Sequence, residues 1–268
     1  MRAVDIVDRY SMEVSKKEVE EIMLSLLKLR NRSELYMSEI ENLSLDKMDY
    51  FISQRKEGIP LQYLTLNTNF YGFDFKVEEG VFIPRPETEV LIDYIVNKYS
   101  KSRDLKIFEV GTGTGIIAIC LTKLLSNCKI IATDISSNAV SVASENAVLN
   151  GVRSSILLIR ANSVNSIKRE GFFDILVSNP PYIAFSQESF LSNEVKREPK
   201  EALFGGIDGY EFTLKMIEES SFVIKKGGKM VIEIDPDHRA IYENRLNGKE
   251  LEFIEDLEHR DRVMVVGF

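Results

Sequence analysis

From Lys106 to the C-terminus the chain alternates apolar, β-branched runs with helix-patterned stretches, and this alternation restricts the fold more than any other feature. The runs are KIFEV (106–110), KIIATD (129–134), SILLIR (155–160), FDILVS (173–178), KMVIEID (229–235), ELEFIED (250–256) and RVMVVGF (262–268). Stretches such as SSNAVSVASENAVLN (136–150) and YEFTLKMIEESSFVIKKGG (210–228) carry helical spacing between them. Strands separated by helices build a doubly wound, mostly parallel sheet with helices on both faces. Too few residues separate the last two runs for a crossover helix, so they are expected to pair antiparallel. The expected fold class is therefore α/β, with a seven-stranded sheet over residues 84–268.

The first part of the chain follows a different pattern. SKKEVEEIMLSLLKLR (15–30) opens with Ser15 and Glu18 at capping-box spacing and lines up Val19, Ile22, Met23, Leu26 and Leu27 on one helical face. SLDKMDYFISQRKEGIP (44–60) starts at Ser44, buries Leu45, Met48, Phe51 and Ile52, and stops at Gly58 with Pro60 beyond. Residues 1–60 thus read as a small helical domain. Residues 61–83, rich in Tyr, Phe, Leu and Val around Tyr71-Gly72, read as a linking β-hairpin. PRPETEVLIDYIVNKYS (84–100) then begins a helix with Pro86 early and Glu87 and Glu89 in its first turn, where carboxylates suit the macrodipole.

Composition narrows the chemistry. The longest apolar runs, such as GIIAICL (115–121), fall short of the ~18 residues a membrane helix needs. The charged N-terminus lacks the apolar core of a secretion signal, so a cytoplasmic location is expected. Only two histidines are present, His238 and His259, both late in the chain, which disfavours a triad or a His-rich metal site; no metal is expected. Cys120 and Cys128 match no zinc or redox spacing and read as buried structural thiols, one in a helix and one just before a strand. A formal net charge of −8 argues against long nucleic acids as the main partner, because phosphate neutralisation needs clustered Lys and Arg.

The motifs sit at strand ends. In FEVGTGTG (108–115), Gly111, Gly113 and Gly115, with Thr112 and Thr114 between them, form a tight turn whose N–H groups a ligand can approach at the next helix N-terminus. A dinucleotide fingerprint needs glycine at 116, where this chain has Ile116. Glu109, two residues ahead of the first glycine, suits a ligand with a cationic end such as the ammonium of a methionine moiety; its alternative is a solvated side chain beside a plain turn. Asp134, about twenty residues on at the tip of the second strand, suits the two hydroxyls of a ribose, or else caps the next helix. Asn162 and Ser163 fall where an adenine edge belongs. Asn179-Pro180-Pro181-Tyr182 ends the fourth strand abruptly, because proline gives no N–H to a sheet. The Asn179 amide oxygen and the Pro180 carbonyl are paired acceptors for an NH₂ group, and Tyr182 can pack on a planar one. Holding both hydrogens aims the nitrogen lone pair at an electrophile and stabilises the charge that develops on transfer.

EVGTGTG (109–115), TDIS (133–136) and NPPY (179–182), in this order on an alternating α/β pattern, resemble the class I S-adenosylmethionine-dependent methyltransferases that modify planar nitrogens. Outside that core, GIPLQYL (58–64), FYGFDFKVEEGVFIPRPETEVLID (70–93) and EPKEALFGGIDG (198–209) resemble the release factor glutamine methyltransferase family, FIPRPETE being the most discriminating stretch. The resemblance implies S-adenosylmethionine as cofactor, held by Glu109, the loop 111–115, Asp134, Asn162, Ser163 and Asn179. It implies the glutamine of a Gly-Gly-Gln motif as methyl acceptor, held by Asn179, Pro180, Pro181 and Tyr182. The loop 198–209 is expected to cover the site and the helical domain to grip the protein substrate. The chain departs from the family pattern at Asp235, Pro236 and His238, and at DLEHRDRV (256–263); both segments are expected to lie away from the pocket. Alternatives are a ribosomal-protein glutamine, an exocyclic amino group of a DNA or RNA base, and a non-catalytic cofactor-binding scaffold.

Overall fold

The computed structural model describes residues 2–37, 40, 43–102, 104–162, 164–167 and 170–268. Five helices open the chain: α1 (Ala3–Tyr10), α2 (Lys16–Leu27), α3 (Arg32–Met37), α4 (Leu45–Lys56) and α5 (Leu61–Thr65). Ser15 and Glu18 form the anticipated capping box at the start of α2, and Ser44 Oγ accepts from the Lys47 N–H at the start of α4. Ile6, Val7, Val19, Ile22, Leu35 and Met48 bury against one another in a cluster of their own.

The hairpin is shorter than its composition suggests. Residues 61–65 turn as a helix, and only β1 (Asn67–Phe70) and β2 (Phe73–Lys76) pair, joined through Tyr71 and Gly72 with φ of 53° and 77°. Two successive positive φ values are what a two-residue hairpin turn requires. Buried Asn146 clamps this hairpin from behind: its Oδ1 accepts from Lys76 N at 2.7 Å, while its Nδ2 donates to the carbonyls of Lys76 and Thr114, each at 2.9 Å. The hairpin and the glycine loop are thereby fixed to one side chain.

The remaining elements follow as α6 (Thr88–Tyr99), β3 (Leu105–Val110), α7 (Ile116–Leu124), β4 (Cys128–Asp134), α8 (Ser137–Leu149), β5 (Ile156–Arg160), β6 (Phe173–Ser178), β7 (Ile183–Ala184), α9 (Lys200–Leu203), β8 (Phe204–Gly206), α10 (Glu211–Ser220), β9 (Ile224–Glu233), α11 (Arg239–Arg245), β10 (Leu251–Glu255) and β11 (Asp261–Gly267). Seven strands form the main sheet in the order β10-β11-β9-β6-β3-β4-β5. All pairs from β9 to β5 are parallel, whereas β11 runs antiparallel to both neighbours. This is the doubly wound α/β class the sequence implied.

Successive side chains of the central strands enter opposite layers, as the pleat demands. Ile107, Ile175, Val177 and Val231 pack with Leu91, Ile92 and the apolar face of α7, while Phe108, Leu176, Met230 and Ile232 pack with Met216, Ile217 and Tyr242. Gly115 starts α7 at φ +85°, and a Cβ there would sit 3.1 Å from Ala143 Cβ, so its absence lets α7 approach α8. Cys120 and Cys128 are buried free thiols, Cys128 being the first residue of β4 rather than preceding it.

Two boundaries differ from expectation. The helix anticipated over 210–228 ends at Ser220, and β9 begins at Ile224, because Val223 and Ile224 are buried with the sheet core. Helix α6 begins at Thr88 rather than at Pro86, with Glu87 as its N-cap.

Candidate active site

The winding of the sheet reverses between β3 and β6, and loops leaving the carboxyl ends of strands diverge at such a switch point. A cavity of ≈ 580 Å³ occupies this crevice, lined by 110–114 after β3, 133–137 at the tip of β4, 160–162 after β5 and 178–181 after β6. Gly80, Val81, Phe82, Pro84 and Thr88 form a further part of its wall, and Pro199, Glu201, Ala202 and Phe212 another.

The glycine loop is tied to β4: the N–H groups of Gly111 and Thr112 both donate to the Thr133 carbonyl at 2.9 Å. Gly111 and Gly113 have φ of +74° and +54°, and a Cβ built on either meets nothing within 4 Å. Both face open space, as a backbone cradle for a ligand requires. Glu109 is neither solvated nor on the cavity wall; it is wholly buried beneath the loop. Its Oε2 accepts from Thr112 Oγ1 at 2.9 Å, and its Oε1 has no hydrogen-bond partner among the described residues. Burial pushes this carboxyl up to about 8, against the opposing hydroxyl of Thr112 and with Asp134 adding to the rise. Glu109 thus meets the cavity through Thr112, which lines it.

Asp134 does not cap α8; Ser136 does, accepting from Ala139 N at 3.3 Å. The Asp134 carboxylate instead accepts from Gly113 N through Oδ2 and from Ser136 N through Oδ1, each at 2.9 Å. It locks the glycine loop while lining the cavity, each oxygen keeping a lone pair for a hydroxyl donor. Burial raises its pKa against these N–H donors. Asn162 lines the cavity; Ser163 lies outside the described residues. Thr112 and Thr114 line it too, whereas Gly115 sits behind as the helix start.

Asn179, Pro180 and Pro181 line the cavity, whereas Tyr182 does not. Asn179 Nδ2 donates to Thr88 Oγ1 at 3.0 Å. The Thr88 hydroxyl donates in turn to Glu233 Oε2 at 2.7 Å, and Tyr182 OH lies 3.4 Å from Glu233 Oε1. Glu233 ends β9 and is fully buried, with its carboxyl pushed up to about 7 by burial, against Thr88 and the nearby positive charge of Arg262. Glu233 does not line the cavity itself but joins two residues that do, Thr88 and Asn179; Asp235, Pro236, His238 and 256–263 are not among the lining residues.

The two stretches that carry the finer resemblance meet in space. Glu198 is buried, accepts from Ile83 N at 3.0 Å and forms an ion pair with Arg85. Beyond it, β8 pairs with β7, and a Cβ at Gly205 or Gly209 would collide with the carbonyls of Pro181 and Tyr182 respectively. Sequence reasoning missed Thr88 and Glu233. An acid inside an otherwise apolar strand, KMVIEID, was the available signal.

Sheet order, glycine loop and strand-tip acid define an S-adenosylmethionine-dependent methyltransferase of class I. Among solved structures, a methyltransferase from Pyrococcus furiosus superposes with a TM-score of 0.56 at 18% identity, covering 84% of this chain and 98% of that one. The hMettl16 catalytic domain superposes at 0.57 and 15% identity, covering 81% and 82%. Residues 73–207 match the family described as Methyltransferase small domain. Proteins named release factor glutamine methyltransferase are similar over most of the chain: that of Dictyoglomus turgidum is 37% identical, covering 85% of this chain and 80% of its own. That of Aquifex aeolicus is 33% identical over 99% and 98%. The chain belongs to the release factor glutamine methyltransferase family.

Proposed function

We propose that this protein transfers a methyl group from S-adenosylmethionine to the side-chain amide nitrogen of the glutamine in the Gly-Gly-Gln motif of peptide chain release factors, in the cytoplasm. The observation that carries this reading is the Asn179 amide, whose Nδ2 is taken by Thr88 and whose Oδ1 is therefore the end left for a substrate. S-adenosylmethionine supplies an electrophilic methyl on a sulfonium. Its amino-acid end belongs at the loop 111–114 over Glu109, its ribose at Asp134 and its adenine beside Asn162. Asn179 Oδ1 and the Pro180 carbonyl accept the two hydrogens of the glutamine NH₂, turning the lone pair out of conjugation and towards the methyl. Tyr182 packs beside the planar amide, with Pro181 fixing the backbone between them. The loop 198–209 covers the site, and the helical unit of residues 1–60 grips the protein substrate. No helix among the described residues is long and apolar enough to cross a membrane; neither a membrane nor a nucleic acid is proposed as partner.

Peptide mass mapping of a purified release factor after incubation with the protein and S-adenosylmethionine tests this. One added methyl on the Gly-Gly-Gln glutamine is expected, absent with Asn179→Ala although that variant still binds cofactor. Asp134→Ala should instead weaken cofactor binding, by about 10²-fold or more for two lost charge-assisted bonds. Methylation at another site, or equal loss of cofactor affinity in both variants, would overturn the assignment.

A further inference from the structure

We propose that Glu233, acting through Thr88, is a positioning residue that decides which end of the Asn179 amide faces the substrate. This rests on the reading of Asn179 as the acceptor for a glutamine NH₂ and adds the device that keeps it one.

The amide end of an asparagine is ambiguous until its partner is fixed: one end accepts, the other donates, and the two are nearly isosteric. Here the partner is Thr88 Oγ1, 3.0 Å from Asn179 Nδ2. A threonine hydroxyl has a single proton. With Glu233 ionised, that proton must go to Glu233 Oε2, at 2.7 Å, because a carboxylate only accepts. Thr88 then has lone pairs alone to offer Asn179, which must answer with Nδ2 and present Oδ1 to the cavity. With Glu233 protonated, its O–H can donate to Thr88, and the Thr88 proton is released to Asn179. The amide can then turn over, presenting its NH₂ to a substrate NH₂, so that two donors meet and transfer stops.

The groups around Glu233 place this choice near neutral pH. Thr88 and Glu87 face it from the start of α6, Tyr182 from the segment after β6, and Arg262 from β11, where Arg262 also bonds Asp256 Oδ2 at 3.1 Å. Burial and Glu87 favour the protonated form; Thr88, Arg262 and Tyr182 favour the ionised one. The ionised, productive form is therefore lost as pH falls through about 7.

Two measurements on the full chain separate this device from the substrate assignment. In the free protein, the side-chain amide NMR signals of Asn179, identified by their loss in Asn179→Asp, should titrate with a midpoint near neutrality. They should be independent of pH in Glu233→Gln and in Thr88→Val, and the titration should return in Thr88→Ser, which keeps the hydroxyl. With a release factor at saturating S-adenosylmethionine, kcat should show an acid limb in the wild type. Glu233→Gln should lose that limb and about 10²-fold in kcat, with cofactor affinity unchanged. Saturation matters because Glu109, which titrates near 8, faces the cofactor loop and acts on cofactor affinity. A pH-independent Asn179 signal in the wild type, or a wild-type kcat profile in Glu233→Gln, would overturn the proposal. A titrating Asn179 signal in a protein that leaves release factors unmethylated would support the relay and overturn the substrate assignment.

Discussion

Glu109 ties stability to pH through a single buried side chain. A carboxyl whose native pKa exceeds its unfolded value stabilises the fold fully below the unfolded value and loses that contribution as pH rises through the native one. For Glu109 the window runs from 4.5 to about 8, with ~1.4 kcal/mol for each unit of difference. Glu109→Gln, which keeps the shape without the charge, should therefore raise the melting temperature above wild type at pH 8.5 and leave it nearly unchanged at pH 4. Thermal scans of the ligand-free protein across this range check it; an equal difference at both pH values would mean that burial of the charge is not what strains the site. The residue types at strand ends were legible in the sequence: Asp134, Asn162, Asn179, Gly111 and Gly113 all reach the cavity wall, while Gly115 and Glu109 lie behind it. Their partners were not. That Asp134 accepts from Gly113 N, or that Thr88 stands between Asn179 and Glu233, depends on chain segments far apart in the sequence meeting in three dimensions.

At the scale of elements, the loop after α9 packs against the backbone of 181–184. Strand β8 pairs with β7, and Gly209, at φ +92°, lies against the Tyr182 carbonyl with no room for a side chain. Gly209→Ala adds both a collision and an unfavourable backbone conformation. It should displace the 179–182 backbone and cut kcat by about 10²-fold, with little change in cofactor affinity, as steady-state kinetics beside calorimetry would show. An equal loss in cofactor affinity would mean that the damage spreads through the sheet. Element types followed from periodicity and capping where these were strong, as in α2, α4 and the sheet strands. They failed where a short segment owes its conformation to its neighbours. Residues 61–65 have the composition of a strand but coil back with Leu61 in the helical cluster, and 224–228 belong to β9 because Ile224 is needed in the core.

For the molecule as a whole, one arginine joins the helical unit to the loop region beside the cavity. Arg55, with a side chain only 7% exposed, bonds Glu18 Oε1 through Nε at 3.0 Å and Glu194 Oε1 through Nη2 at 2.8 Å. Its partners come from α2 and from the segment before α9. Arg55→Ala should free that segment, seen as faster hydrogen exchange over 188–197, and raise the KM for the protein substrate while leaving that for S-adenosylmethionine unchanged. Unaltered exchange would show that the two parts are held together by apolar contact alone. A second ion pair, Arg85 with Glu198, has a consequence of another kind. Its members lie far apart in the chain and differ in burial: removing Arg85 strands the Glu198 carboxyl in the interior, at a cost of about 3 kcal/mol, whereas Arg85, with 31% of its side chain exposed, can still turn to water when Glu198 is removed. FIPRPETE and EPKEALFGGIDG therefore constrain each other unequally: the base can outlast the acid, but the acid has no place without the base.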